Sequence, residues 1–170
     1  MRKQSHAKLL LSIQAQEVVL RDIYERSSIE ACGLLTGTID AGGNWQVEAA
    51  HPLKNTHASP VYFEFAPEDL LAFELEHPGQ VIGVYHSHPT GFPRASETDR
   101  KNMQRVNVEQ AIPWVWLIIS GPFRKADFPP PGSFASCSTI AYHHYERDGL
   151  QEIPVLLYEQ TSDAKLDETR

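Results

Sequence analysis

Apolar and polar positions alternate along this chain in a way that marks out strands and helices in turn. KLLLSIQ (8–14) is short and apolar enough for a first strand. In AQEVVLRDIYERSS (15–28), Val18, Val19 and Ile23 recur at helical spacing and predict a helix. CGLLTGTI (32–39) is a buried-strand pattern ending at the turn AGGN (41–44), and WQVEAAHPL (45–53) returns as its hairpin partner. VYFEFA (61–66) alternates aromatic and polar side chains, which predicts a half-buried strand. PEDLLAFELEH (67–77) opens with Pro and two acids, as helix N-termini do, and Gly79 stops it.

QVIGVYHSH (80–88) predicts a second buried strand, SETDRKNMQRV (96–106) a capped helix, and WVWLIIS (114–120) a third strongly apolar strand. FRKADFPPPGSFAS (123–136) reads as a Pro-rich loop. TIAYHHYERDG and QEIPVLLYE form a final hairpin around Asp148–Gly149. TSDAKLDETR (161–170) is nearly devoid of apolar residues and is expected to be a disordered tail. There is no internal repeat and no linker. The expected fold is mixed α/β (α+β): one domain over 1–160, with a central, mostly antiparallel or mixed sheet flanked by helices.

Composition narrows the function. The 170 residues carry a net charge of −7, which argues against a protein that grips nucleic-acid backbones and against an anionic membrane surface as partner. Cys32 and Cys137 stand in unrelated contexts, so no disulfide framework or zinc knuckle is expected, and a reducing cytoplasm is the simplest location. The N-terminal MRKQSHAKLLLSIQAQ briefly resembles a signal peptide, but its apolar run is too short.

The chemistry concentrates in YHSHPTGFPRASETD (85–99). Residues i and i+2 of a strand share a face, so His86 and His88 present two imidazoles side by side. Pro89 ends the strand and leaves both at the sheet rim, where open α/β sheets bind ligands. Asp99 falls in the first turn of the next helix and can reach the same point. Two histidines and a carboxylate leave one tetrahedral position open, the arrangement of a catalytic Zn²⁺, one ion per chain. Ser96 and Asp99 also form an S-x-x-D capping box, which by itself would account for both.

H-S-H-P, six residues, then S-x-x-D matches the signature of the JAMM (MPN+) metalloproteases at His86, His88, Ser96 and Asp99. EACGLLTG, beginning at Glu30, resembles that family's upstream glutamate segment in bacterial members, and NTHASPVYFEFAPEDLL (55–71) resembles a further stretch of them. The resemblance runs from about residue 8 to 121; the Pro-rich loop and final hairpin match nothing in it. One departure is SSIE, where the family often has a proline before the glutamate.

The resemblance implies a cytidine-deaminase-like MPN fold and a zinc peptidase or isopeptidase. His86, His88 and Asp99 would hold the metal, Glu30 would act as general base and acid on a zinc-activated water, and Ser96 would donate to the oxyanion. It also implies a partner: a ubiquitin-like β-grasp sulfur-carrier protein, cleaved after the last glycine of its Gly-Gly tail. Such a tail could add to VYFEFA as an extra strand, with Tyr62, Phe63 and Glu64 in contact with substrate. A homodimer is compatible with this reading. Two alternatives stand beside it: a metal-free MPN scaffold, and a cupin-type metal enzyme that recruits His143 or His144.

Overall fold

The computed structural model describes residues 7–124, 134 and 137–160. The Pro-rich segment, apart from its first two residues and Phe134, and the 161–170 tail therefore lie outside the described residues.

Strands β1 (Leu9–Ser12), β2 (Cys32–Ile39), β3 (Trp45–Leu53), β4 (Val81–His88), β5 (Val115–Ser120), β6 (Ser138–Tyr145), β7 (Gly149–Ile153) and β8 (Val155–Tyr158) form one mixed sheet in the order β7-β6-β5-β4-β2-β3-β1-β8. β4 runs parallel to β5 and β1 parallel to β3 and β8, while the remaining pairs are antiparallel. Helices α1 (Ile13–Glu25), α2 (Pro67–Glu76) and α3 (Glu97–Gln104) flank it.

Strand alternation sorts the core into two clusters. Leu35, Tyr85, Leu117 and Ile119 face one side and pack with Val19, Leu20 and Ile23 of α1. Leu34, Val84, Trp116 and Ile118 face the other, against Met103 of α3 and the partly buried Leu70 and Phe73 of α2. His86 and His88 share the parity of Val84 and so open onto the α3 side.

Four expectations are corrected. The first strand ends at Ser12, whose hydroxyl accepts the Ala15 N–H, so that the helix begins at Ile13. α3 does not end at Val106: a π-helical turn carries the chain over Arg105–Glu109. Asn107, within that turn, donates to the carbonyls of Ile112 and Trp114 and accepts from the Trp116 indole.

The third correction concerns residues 61–66, which form no strand. Their alternation is real, but they fold as a loop held to residues 55–57 by side-chain hydrogen bonds, and they are not an edge of the sheet. The fourth concerns the last hairpin. Its first arm and β7 pair as expected, but Pro154 has no N–H to continue the ladder. The chain crosses there to the opposite edge, where Pro154 accepts from Leu9 N–H and β8 joins β1. Ile153 pairs with Ala141 of β6 while Val155 pairs with Leu9 of β1. The sheet therefore curls until its two edges meet at one corner.

Candidate metal centre

The site is built where β2 and β4 run out together. Cys32 pairs with His86 and Gly33 with Tyr85. The register continues one residue beyond β2: Ser87 N–H donates to the Ala31 carbonyl at 2.9 Å, and the Ser87 hydroxyl accepts the Ala31 N–H at 2.9 Å. The next step sets Glu30 level with His88, which explains how a glutamate 58 residues upstream of it comes to face the histidine pair. Gly33 is required at this rim, because a Cβ there would fall 2.5 Å from Cε1 of the Tyr85 ring. Tyr85 in turn donates to Asp22 of α1 at 2.7 Å. Arg26 binds the same carboxylate and reaches the carbonyls of Cys32 and Leu53, tying α1 to the strand ends.

The third component arrives from α3. Ser96 caps the helix by accepting the Asp99 N–H at 3.1 Å, and Asp99 Oδ2 accepts the Ser96 N–H at 2.9 Å. The capping box is thus formed in full, yet it does not exhaust either side chain. Asp99 Oδ2 also lies 3.1 Å from His88 Nε2, and Oδ1 lies 3.3 Å from His86 Nε2. The two Nε2 atoms are 3.1 Å apart. Glu30 Oε1 is 3.8 Å from His88 Nε2. All four residues are buried. Among the described residues, His86, His88 and Asp99 make the one group of metal-ligating side chains whose donor atoms converge, all within 4.8 Å of one another.

The donor set fits a bound cation. His88 Nδ1 lies 2.9 Å from the Phe92 carbonyl, and a carbonyl only accepts, so Nδ1 carries the proton. A neutral His88 then aims the bare lone pair of Nε2 at a carboxylate oxygen, an arrangement that calls for a positive charge between them. Two donors on a tetrahedral zinc stand roughly 3.3 Å apart, from bond lengths of about 2.0–2.1 Å. The Nε2–Nε2 separation of 3.1 Å agrees, and each Nε2 has one of the two Asp99 oxygens at 3.1–3.3 Å. Ser120 supports the arrangement by donating to the same Phe92 carbonyl at 2.7 Å. Phe63 stacks on the His86 ring with centroids 4.6 Å apart and shields it from solvent.

The electrostatics without a metal point the same way. Burial pushes Glu30 up to about 8, with Asp99 adding to the shift and His88 opposing it. Burial also opposes charge on Asp99, but hydrogen bonds from His86 and His88 outweigh it and hold the carboxyl well below the usual range. Burial lowers His86, the Asp99 contacts opposing it only in part. For His88 burial is outweighed by Asp99 and the Phe92 carbonyl, and its pKa is raised. Burial pushes the Cys32 thiol up to about 12, so it is no nucleophile at neutral pH.

The structure thus brings His86, His88, Asp99 and Glu30 together, with Ser96 at the adjoining helix cap. It places Tyr62, Phe63 and Glu64 on the loop beside His86, with Phe63 in direct ring contact. His143 and His144 lie elsewhere on β6 and belong to no such cluster among the described residues. Sequence reasoning missed Ser87, Ser120 and the Phe92 carbonyl, which hold the site from behind. Ser87 carries a visible signal: the middle residue of H-x-H must face the opposite layer, toward whatever runs beside it.

Fold and site together define a mixed α/β protein with a two-histidine, one-carboxylate centre at its sheet rim. The profile described as prokaryotic homologs of the JAB domain matches residues 13–132, and the chain belongs to that family. The chain is 36% identical over 103 residues to a desampylase of Haloferax volcanii, a match covering 56% of this chain and 72% of that protein. It is 33% identical over 102 residues to a desampylase of Pyrococcus furiosus, covering 58% and 64%. A 60-residue match at 40% identity to the tail tip assembly protein K of Escherichia phage lambda covers 35% of this chain and 27% of that one. The fold is similar to the solution structure of protein DSY2949 from Desulfitobacterium hafniense, with TM-score 0.67 and 25% identity over 89% of this chain and 94% of that one.

Proposed function

We propose that this protein is a zinc-dependent isopeptidase or peptidase that cleaves after the C-terminal glycine of a ubiquitin-like protein, with a β-grasp sulfur carrier ending in Gly-Gly as the substrate. The observation that carries the reading is the convergence of His86, His88 and Asp99, with Glu30 3.8 Å from the His88 nitrogen. A scaffold has no need to bury three such groups against one another. The similarity to desampylases supports the isopeptidase class.

In this reading His86 Nε2, His88 Nε2 and an Asp99 oxygen hold the ion. Bound there, Zn²⁺ supplies Lewis acidity, polarising a carbonyl and making water nucleophilic near neutral pH. Glu30 takes a proton from the attacking water and returns it to the leaving nitrogen. The Ala31–Ser87 pairing fixes the backbone next to Glu30 at the rim, which narrows the carboxylate's search for the productive position. Ser96 accepts from Asp99 N–H through its lone pair and keeps its own hydroxyl proton, which is free to stabilise the oxyanion of the scissile carbonyl.

Tyr62 and Phe63 line a groove of about 540 Å³ between the 61–66 loop and α2 on one side and α3 on the other, floored by Trp114 and Trp116. This groove receives part of the substrate, with Tyr62, Phe63 and Glu64 as contacts from its wall. Among the described residues no helix is long and apolar enough to cross a membrane. We place it in a reducing cytoplasm, because Cys32 and Cys137 stand in unrelated sequence contexts.

The test is to incubate zinc-loaded protein with carriers ending in Gly-Gly that bear a C-terminal extension or an isopeptide-linked amine, and to weigh the products. The expected product is a carrier ending in Gly-Gly, lost on chelation. Intact carrier in every case would defeat the proposal.

A further inference from the structure

Asn55 is a polar side chain only 2% exposed, at the start of the loop that leads to Phe63. Its amide nitrogen donates to the Glu30 carbonyl at 3.1 Å and to the Tyr62 carbonyl at 2.9 Å. Its oxygen accepts the His57 N–H at 3.1 Å and the Glu64 N–H at 3.3 Å. An asparagine amide has two donors and two acceptor sites, so its capacity is filled. The partners lie on two different parts of the molecule: one is the backbone of Glu30, and the other three belong to the 57–64 loop.

We propose that Asn55 is a positioning residue that couples the carboxylate carrier Glu30 to the substrate-facing loop; the inference rests on the hydrolase reading above. Three features support it. The loop is not part of the sheet, so it lacks a strand ladder to fix it, and side-chain bonds take that role. Glu30 is joined to the same loop a second time, its own N–H donating to the Ser59 carbonyl at 2.8 Å. The loop's Phe63 rests on the His86 ring, so a shift of the loop is felt at the histidine and at Glu30 together. On the strand side Glu30's neighbour Ala31 is pinned by Ser87, which leaves the Asn55 side as the one where the loop's state is transmitted. Thr56 closes the loop on itself, its N–H and hydroxyl both donating to the Glu64 carbonyl at 3.0 and 3.1 Å. The loop is therefore tied together at its base, next to the asparagine.

The experiment uses the full-length zinc-loaded chain and a carrier substrate that the wild type cleaves. Asn55→Ala should retain zinc. Its KM should rise about 10-fold, the effect of losing roughly 1.4 kcal/mol from the loop's hold on substrate. Its kcat should fall on the order of 100-fold, as a misplaced proton carrier would cause. In a Glu30→Gln background the kcat effect of Asn55→Ala should vanish while the KM effect persists, because only the first acts through Glu30. A general structural lesion would lower kcat in both backgrounds. Amide exchange gives an activity-free reading: the N–H groups of Glu30, His57 and Glu64 should lose protection together.

Unchanged kcat and KM in a folded, zinc-bound Asn55→Ala would overturn the inference. So would a kcat loss that survives in Glu30→Gln, or faster exchange at His57 and Glu64 with Glu30 unmoved. Should Asn55→Ala not fold, Asn55→Ser, which restores one polar group, takes its place with the same readouts. A wild type that cleaves no carrier defeats the hydrolase reading instead, and the exchange pattern then decides the coupling alone.

Discussion

Two histidine pairs in this chain have opposite fates. His86 and His88 stand one residue apart at the end of β4, and their Nε2 atoms lie 3.1 Å from each other. His143 and His144 are adjacent in β6, so strand geometry sends them to opposite faces. His143 donates from Nδ1 to the Trp114 carbonyl at 2.8 Å and lies against Trp45 and Tyr145. His144 has its Nδ1 3.2 Å from the Tyr145 carbonyl, and its backbone N–H donates to Asn107. Neither has a carboxylate within ion-pair distance among the described residues. Burial lowers the His143 pKa, so that ring packs as a neutral aromatic. A site needs more than imidazoles: spacing that shares a face, a rim where a helix can deliver an acid, and, for His88, a backbone carbonyl that turns its bare nitrogen inward.

The sharpest way to break that contrast is to exchange the consequences of mutation. Asp99→Ala and His86→Ala should each lose bound zinc and all turnover, as should chelation of the wild type, whereas His143→Ala and His144→Ala should keep stoichiometric metal. Metal analysis of the four purified variants decides it; zinc retained in Asp99→Ala, or lost in His143→Ala, would place the centre elsewhere. Next in size is Glu30→Gln, expected to bind zinc normally and to lower kcat by about 10²–10⁴-fold, the usual contribution of a positioned acid–base group. Ser96→Ala should lower kcat by about 10²–10³-fold with little change in KM. It should also cost about 1 kcal/mol in a denaturation curve for the lost cap. A stability loss without a kcat effect would leave Ser96 as a cap alone.

The smallest effect is on stability against pH in the metal-free protein. Glu30 is raised in the fold from 4.5 to about 8, so across that window the folded chain holds a proton that the unfolded chain has released. The native state binds more protons there, and Glu30's contribution to stability declines as pH rises from 4.5 to 8. The His86 contribution is shared with Glu30→Gln, while the coulombic coupling of Glu30 to His88 is part of the difference measured. Wild-type urea midpoints should therefore fall relative to those of Glu30→Gln between pH 5 and 8. A constant difference would mean that Glu30 is solvated rather than buried beside His88.

Much of the site was legible because its signals are local. H-x-H at a strand end followed by S-x-x-D fixes two ligands on one face and a third at N3 of the next helix, all within 14 residues. The buried strands 32–39, 81–88 and 115–120 announced themselves as apolar runs, since a strand covered on both faces has no polar side to show. The 61–66 segment misled for the complementary reason. Its alternation reflects one face packed on His86 and α2 and one in solvent, and periodicity cannot tell a ladder from a loop held by an asparagine.

What this sequence settled alone is what short-range geometry settles: the buried strands, the capped helix, and the shared face of His86 and His88. What only the folded chain decided is everything that depends on register between distant segments. Nothing in the sequence around Glu30 says that Cys32 pairs with His86, and with a one-residue slip the glutamate would face α1 instead of the histidines. Pro154 likewise reads as a simple strand breaker until the sheet has curled far enough for the other edge to be waiting two residues on. Side-chain parity is written into each strand, but pairing is a choice among alternatives that only simultaneous packing of both core layers can make.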